Sequence, residues 1–316
     1  MERENLTDLQ KSFAIGLDVG GTSLKSAVVA SDGSILENSF RRTPINSKGS
    51  ADSIIETFVQ TLNSHLKMVE GLKIEGIGIG MPGPFDYEMG ICLIPPELHK
   101  YNAIYGLNLK QKLIEQLGIK EIRFENDAWV FLRGEAWIGA AKGYNRIIGL
   151  TLGTGLGSAF MVGDRMLSKG AGVPPLGWIG GMPHKNGIVE DKIARRWIIV
   201  KYKELSGEKN DLSVEEIAAR GKHGDKASLK TFEEIGQKLG QTLKPIASKF
   251  KAECIVFGGQ ISKSFSLFSD PIKRELQSVS TLKKITPAYS IDLSPIYGAA
   301  KLAFLGPLYK PTRLTF

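Results

Sequence analysis

The sequence predicts an α/β protein of two similarly built domains, each a mixed sheet covered by helices. Three observations carry this prediction. The chain has 316 residues, more than a single hydrophobic core usually organises. The apolar patterns of the first half run as three strands followed by alternating helices and strands, the order of a mixed sheet with helical cover. The second half then begins the same pattern again.

In the first half, 13–17 is a short apolar run ending in Asp18-Val19-Gly20-Gly21-Thr22. A second strand is predicted over 24–30, and the turn Ser31-Asp32-Gly33-Ser34 leads to a third over 35–38. The spacing then becomes helical over 51–69, where Ile54, Phe58, Leu62 and Leu66 share one face. A strand over 73–80, the loop at Pro95-Pro96, a helix near 109–117 and a strand over 121–124 follow.

The second half opens with a strand over 147–152 that ends in Gly153-Thr154-Gly155, then a strand over 158–162 and the turn Gly163-Asp164 into 165–167. Gly21-Thr22 recurs as Gly153-Thr154, and at the same interval Ser26-Ala27 recurs as Ser158-Ala159. A loop at 222–226, a long helix over 229–250, a strand over 254–257 and a helix over 295–305 complete the chain. The limits read from these patterns are 1–127 for one domain and 128–294 for the other, with the helix near 295–316 packing back on the first.

The composition, 42% apolar and 23% charged, suits two buried cores. The net charge of +8 would suit a polyanion such as a nucleotide, while no dense Lys/Arg block marks a nucleic-acid surface. Cys92 and Cys254, both in apolar surroundings, form no disulfide framework and fit a reducing cytoplasm. No apolar run approaches a membrane span, and the mixed charges of 1–11 do not read as a signal peptide. The expectation is a cytoplasmic protein with neither a nucleic-acid nor a membrane partner.

The first glycine turn sets a carboxylate, Asp18, at a strand end and two glycines where the backbone reverses. Without a Cβ, Gly20 and Gly21 let a phosphate approach the backbone N–H groups, and Thr22 adds a hydroxyl. Asp18 stands either as a solvated hairpin residue or as the holder of Mg²⁺ beside the phosphates. The second turn, Gly153-Thr154-Gly155-Leu156-Gly157, has more glycine than a hairpin requires. Two such turns would hold one polyphosphate between them.

Gly78-Ile79-Gly80-Met81-Pro82-Gly83 matches the glycine spacing of a dinucleotide fingerprint, but Pro82 and Pro84 flank Gly83 and no helical pattern follows. The loop instead reads as one wall of a substrate site. Glu125-Asn126-Asp127 lies between a strand and a helix over 128–140. Asn126 or Asp127 can cap that helix. With glycine turns present, Asp127 can also take a proton from an attacking hydroxyl while Asn126 binds its neighbour.

These five segments, Asp18-Val19-Gly20-Gly21-Thr22, Gly80-Met81-Pro82-Gly83-Pro84, Glu125-Asn126-Asp127-Ala128, Leu152-Gly153-Thr154-Gly155-Leu156-Gly157 and Phe257-Gly258-Gly259, occur in the order seen in the ROK (repressor, open reading frame, kinase) family. The chain resembles that family over roughly 13–305. The resemblance implies two ribonuclease H-like domains of the actin/hexokinase ATPase type, with ATP and Mg²⁺ in an interdomain cleft, and a homodimer. It makes Asp127 the catalytic base, Asn126 and Gly83 part of the sugar site, and Asp18 the metal-side carboxylate. Gly20, Gly21, Thr22, Gly153, Thr154 and Gly155 lie against the phosphates, and Gly258 and Gly259 beside the adenosine.

The chain departs from the family in two places. Many members hold a structural zinc through a cysteine-rich segment and a preceding histidine. Here Gly187-Ile188-Val189-Glu190-Asp191 has no cysteine, so no zinc is expected. Glu190, or Asp191 in its stead, matches a sugar-binding glutamate. The family segment Gly-Glu-x-Gly-His reads Gly177-Trp178-Ile179-Gly180-Gly181, so Trp178 either stacks on a sugar ring or belongs to the core. His184 reads as a solvated loop residue.

The function expected from this pattern is an ATP-dependent carbohydrate kinase acting on a hydroxyl of a hexose or related sugar. The alternative is a catalytically silent sugar-binding sensor of the same family. A DNA-binding repressor is not expected, because 1–17 is too short for a winged helix ahead of Asp18.

Overall fold

The computed structural model describes residues 11–306, so the stretch 1–10 and the far end of the helix expected near 295–316 lie outside the described residues. The chain forms two units. One holds the residues up to Gly139 and those from Asp292 onward, the other Ala140–Ile291.

In the first unit, β1 (Phe13–Val19), β2 (Ser23–Ala30) and β3 (Arg41–Pro44) are joined antiparallel. Helix α1 (Ala51–Met68) leads to β4 (Ile74–Met81), which pairs parallel with β1. The hairpin β5 (Phe85–Asp86) and β6 (Ile91–Cys92), helix α2 (Leu109–Leu117) and β7 (Ile122–Asn126) follow, and β7 completes the order β3-β2-β1-β4-β7. Helix α3 (Asp127–Trp137) ends this part of the chain. The expected strand over 35–38 is not formed; Ile35 makes only an isolated bridge to Val29. Ser39 Oγ takes the Val28 N–H at 3.1 Å, a group that a neighbouring strand would use, and the third strand begins at Arg41.

The second unit repeats the plan. Its strands β8 (Arg146–Leu152), β9 (Leu156–Val162) and β10 (Arg165–Met166) are antiparallel. Three helices, α4 (Arg195–Ser206), α5 (Val214–Lys222) and α6 (Lys226–Phe250), precede β11 (Cys254–Gly258). Helix α7 (Phe265–Leu276) and β12 (Lys284–Pro287) close a sheet of order β10-β9-β8-β11-β12, its last two pairs parallel. The final helix, α8 (Ser294–Phe304), returns to the first unit. Among the described residues no helix is long and apolar enough to cross a membrane.

The period-two alternation of strands explains what each sheet face packs against. On β1, Phe13, Ile15 and Leu17 join a core with Ile54, Phe58 and Leu62 of α1 and Leu109 and Leu113 of α2. The intervening Ala14 packs with Ile296, Tyr297 and Ala300 of α8. That second face is built from small residues because α8 lies very close to it. A Cβ on Gly16 would collide with the Ile296 carbonyl, and one on Gly78 with the Ala299 carbonyl. The same holds between helices: Gly134 of α3 abuts the Ser294 carbonyl, and Gly298 of α8 the Val130 carbonyl. Because α3 packs on α8 and β4, the unit boundary falls after Gly139 and the chain returns at Asp292, not at the expected 127 and 294.

One polar pair is sealed inside the first unit. Ser26 Oγ and His65 Nε2 are 2.7 Å apart and both residues are fully buried. Nδ1 of His65 has no hydrogen-bond partner. Burial, with the nearby Arg41 charge second, pushes the His65 pKa down to about 4.

Two stability predictions follow from this packing. Gly298→Ala should destabilise the protein by about 3 kcal/mol, since backbone cannot move aside as a side chain does, whereas Gly21→Ala, with nothing within 4 Å of the new Cβ, should change it by less than about 0.5 kcal/mol. Urea unfolding of both variants checks this. For His65 the folded state keeps the imidazole neutral while the unfolded chain takes a proton near 6.5. Stability is therefore complete above that pH and is lost as pH falls toward about 4. Wild type should fall behind His65→Gln by about 3 kcal/mol over this window, measured by unfolding at pH 7.5 and 4.

Candidate active site

The first glycine turn joins β1 to β2 and is closed by Gly20 N–H donating to Ser23 O at 3.0 Å. Tyr101 Oη donates to Gly20 O at 2.6 Å, tying the turn to the loop after β6. That loop is strained, since His99 and Tyr101 both adopt left-handed backbone conformations at φ 51° and 58°. Tyr101 is nevertheless fully buried. Gly21 and Thr22 are exposed at the tip.

Asp18 is the last inward residue of β1 on the face that seats α8. In register it pairs with Lys25 of β2 and Gly80 of β4. Lys25 Nζ lies 3.5 Å from its Oδ2. Burial pushes the Asp18 pKa up to about 6; Lys25 opposes the rise, and the charge of Asp127 adds to it.

Asn126 and Asp127 stand where β7 becomes α3. Asn126 is the N-cap: its Oδ1 accepts from Ala128 N–H at 3.0 Å, and its Nδ2 donates to Tyr87 Oη at 3.2 Å. Tyr87 Oη in turn donates to Met81 O at 3.2 Å, which links the junction to the Met81-Pro82-Gly83-Pro84 loop. Asp127 Oδ1 also accepts from Ala128 N–H, at 2.8 Å. Burial raises the Asp127 pKa, while the Ala128 N–H and the charge of Lys100 oppose the rise. Behind the junction Glu125 and Arg133 form a buried two-point ion pair at 2.7 and 2.9 Å, which joins the end of β7 to the second turn of α3. The first unit thus brings together Asp18, Gly20, Gly21, Asn126 and Asp127. Sequence reasoning missed Lys25, Tyr87, Tyr101 and Lys100; of these only Lys25, two residues beyond a glycine turn's end, carried a local signal.

In the second unit Gly153 N–H donates to Gly155 O at 3.0 Å, and no atom lies within 4 Å of where a Gly153 Cβ would stand. Leu156, at the start of β9, is held at both backbone groups. Its N–H donates to Glu190 Oε2 at 2.7 Å, and its carbonyl accepts from Trp178 Nε1 at 2.9 Å. Ser158 Oγ donates to Gly177 O at 2.7 Å and accepts from Ile179 N–H at 2.8 Å, so both neighbours of Trp178 are fastened. Trp178 remains 42% exposed and is not a core residue. Asp191 accepts from Ile188 N–H at 3.0 Å, a local cap. Gly258 ends β11, and Gly259, at φ 78°, packs against the Leu152 carbonyl.

Each unit carries an open glycine turn, and the first adds a carboxylate, Asp18, that a divalent cation would suit. Gly21 and Gly153 leave open space where any side chain would intrude. In the first unit two desolvated carboxylates repel each other, a charge arrangement that Mg²⁺ on Asp18 would relieve.

A family model described as the ROK family matches residues 14–304. A glucokinase of Thermotoga maritima is 25% identical over 308 residues, covering 91% of this chain and 94% of the relative. The crystal structure of a ROK family glucokinase from Streptomyces griseus, in complex with glucose and AMPPNP, superposes with a TM-score of 0.74 at 25% identity, covering 93% of this chain and 100% of the other. A ROK family transcriptional regulator, homologous to the E. coli MLC protein, shares the fold at a TM-score of 0.76 and 17% identity; this chain covers 79% of it.

Ionised Asp18 works against the ligand-free fold. Its folded pKa is raised, so its favourable contribution is complete below 3.8 and is lost as pH rises through about 6. Asp18→Asn cannot ionise and should become more stable than wild type by about 3 kcal/mol between pH 4 and pH 7.5. Denaturant unfolding of the two proteins at both pH values tests this sign.

Proposed function

We infer that this chain, which belongs to the ROK family, is an ATP-dependent sugar kinase whose acceptor is a hydroxyl of a hexose or related sugar. The observation that carries the reading is the pairing of Asp18, at an open glycine turn with Lys25 Nζ 3.5 Å away, with Asp127, at the N-terminus of α3, near enough that the charge of Asp127 adds to the burial that raises the Asp18 pKa. The relatives named glucokinase and N-acetyl-D-glucosamine kinase support the same class of acceptor.

Asp127 is the general base. Its orientation is held by Ala128 N–H, and a raised proton affinity suits it to that role. It accepts the proton of the acceptor hydroxyl while that oxygen bonds to the terminal phosphorus of ATP and the bond to ADP breaks. Asp18 would hold Mg²⁺, which when bound neutralises charge on the phosphates. Gly21 and Thr22 in the first unit and Thr154 and Gly155 in the second would offer backbone N–H and hydroxyl groups to the phosphates. Gly20 and Gly153 would shape the two turns with N–H groups already bonded to Ser23 O and Gly155 O, and Gly258-Gly259 would border the adenosine. Asn126, Gly83, Glu190 and Trp178 contribute to the sugar site. Glu190 does so with Oε2 already engaged by Leu156, so its role is partly to hold the turn. The same reading has the protein cytoplasmic and homodimeric, the latter open to light scattering.

The reading is tested by coupled ADP release across hexoses, amino sugars and polyols. Wild type should turn over at least one of them, and Asp127→Asn should lose about a thousandfold in kcat with calorimetric sugar affinity changed by only a few-fold. Full activity in Asp127→Asn would remove the base assignment. Sugar binding without turnover in wild type would favour the silent sensor.

A further inference from the structure

Lys25, which the catalytic scheme above does not use, is embedded in a row of charges. The sheet register sets Asp18 of β1, Lys25 of β2 and Arg42 of β3 side by side on adjacent strands. Asp292, the residue at which the chain re-enters the first unit, reaches this row from just ahead of α8. Its Oδ1 lies 3.2 Å from Lys25 Nζ and 3.0 Å from Arg42 Nη2. Lys25 is 14% exposed, as is Asp18, whereas Arg42 is 52% exposed.

The distances decide what this lysine does. Strong charge-assisted hydrogen bonds between ammonium and carboxylate run at about 2.7–2.9 Å. At 3.5 Å from Asp18 and 3.2 Å from Asp292, the ammonium is shared between two carboxylates and closes tightly on neither. An ammonium has three donors, so it can take a stronger acceptor without leaving its place. The need for one is electrostatic. Asp18 and Asp127 put two negative charges at the place where the proposed donor brings a polyanion, and at low dielectric like charges repel strongly. A fixed cation beside Asp18 offsets that repulsion.

We propose that Lys25 is a phosphate-binding residue, whose ammonium donates to a phosphate oxygen of the nucleotide at the Asp18 end of the first glycine turn. Asp292 holds it ready from the far side and keeps Arg42 as its own partner once the phosphate is bound. Lys25 follows by two residues Ser23, the residue whose carbonyl closes the turn, so the cation and the open backbone of Gly21 lie at one end of the sheet. The proposal deepens the ATP-dependent reading and rests on it. Its consequence is that part of the nucleotide affinity persists without Mg²⁺.

Calorimetric titration of the whole protein with ADP and with adenosine, each with Mg²⁺ and with excess EDTA, tests this without turnover. Wild type should bind ADP in EDTA, and Lys25→Met should lose roughly ten- to a hundredfold of that affinity while binding adenosine as wild type does. Lys25→Arg, which keeps the charge, should stay within about threefold. Asp292→Asn should bind Mg²⁺-free ADP at least as tightly as wild type, because a competing carboxylate is gone. Unchanged ADP affinity in Lys25→Met overturns the proposal and leaves the kinase reading standing. So does a parallel loss of adenosine, or a loss in Asp292→Asn as large as in Lys25→Met, since either marks a structural clamp. Failure of wild type to bind ADP even with Mg²⁺ overturns both.

Discussion

The first unit depends on how closely α8 approaches its sheet and its neighbouring helix. Backbone carbonyls of Ile296 and Ala299 lie where the side chains of residues 16 and 78 would be, and Gly134 and Gly298 meet across the α3–α8 contact in the same way. Close packing of this kind leaves no slack for an added methyl group. It also lets a helix from the end of the chain complete a core begun by residues near its start. The position of α3, and with it the β7–α3 junction that carries Asp127, follows from that contact.

The charges at the sheet end follow from the same alternation. On the face that seats α8, β1 presents Ala14, Gly16 and then Asp18, and in register β2 presents Val29, Ala27 and then Lys25. Small residues fill the rungs beneath α8, and the first rung beyond it carries ions. Those ions are poorly solvated because the fold that positions them also shields them, and the raised proton affinity of Asp18 is the result. Stability given up at such a site is a common correlate of function. Here it is localised to two carboxylates, with Lys25 and Lys100 as partial counterweights.

Much of this was legible in the sequence, for local reasons. The glycine turns, the recurrence of Gly21-Thr22 as Gly153-Thr154 and the Asn126 cap are short-range patterns, and the two sheets share one strand order. Helix α5 carried its own signal in the capping box of Ser213 and Glu216, and α7 in the helical spacing of Phe265, Phe268, Ile272 and Leu276; both went unread. Gly78 and Gly80 were different. Their spacing imitated a nucleotide fingerprint, but Gly78 answers to Ala299 and Gly80 to Val130, partners that no local window contains. Asp292 reaches Lys25 and Arg42 from equally far along the chain. The unit boundary was misplaced for the same reason, because what assigns α3 to the first unit is its contact with α8.

The two departures from the family pattern at 178 and 181 are physically one. The Trp178 ring lies on the backbone of Gly180 and Gly181, so that a Cβ at either position would run into the indole. A tryptophan held there by Leu156 O therefore requires glycine at 181, and an imidazole at 181 would require that the indole leave. The loss of the polar pair is thus the replacement of one arrangement by another, with Ser158 fastening the segment on both sides of the ring. A half-exposed aromatic face whose ring is held by one hydrogen bond, on a backbone fastened at both neighbours, has little rotamer entropy left to lose on binding. That favours stacking on an apolar ring face over hydrogen bonding to hydroxyls as the way residue 178 would meet an acceptor. The segment departs from the family pattern at 178 and 181 while Asp18 and Asp127 keep their places in it, which makes residue 178 the position at which the proposed acceptor site is best probed.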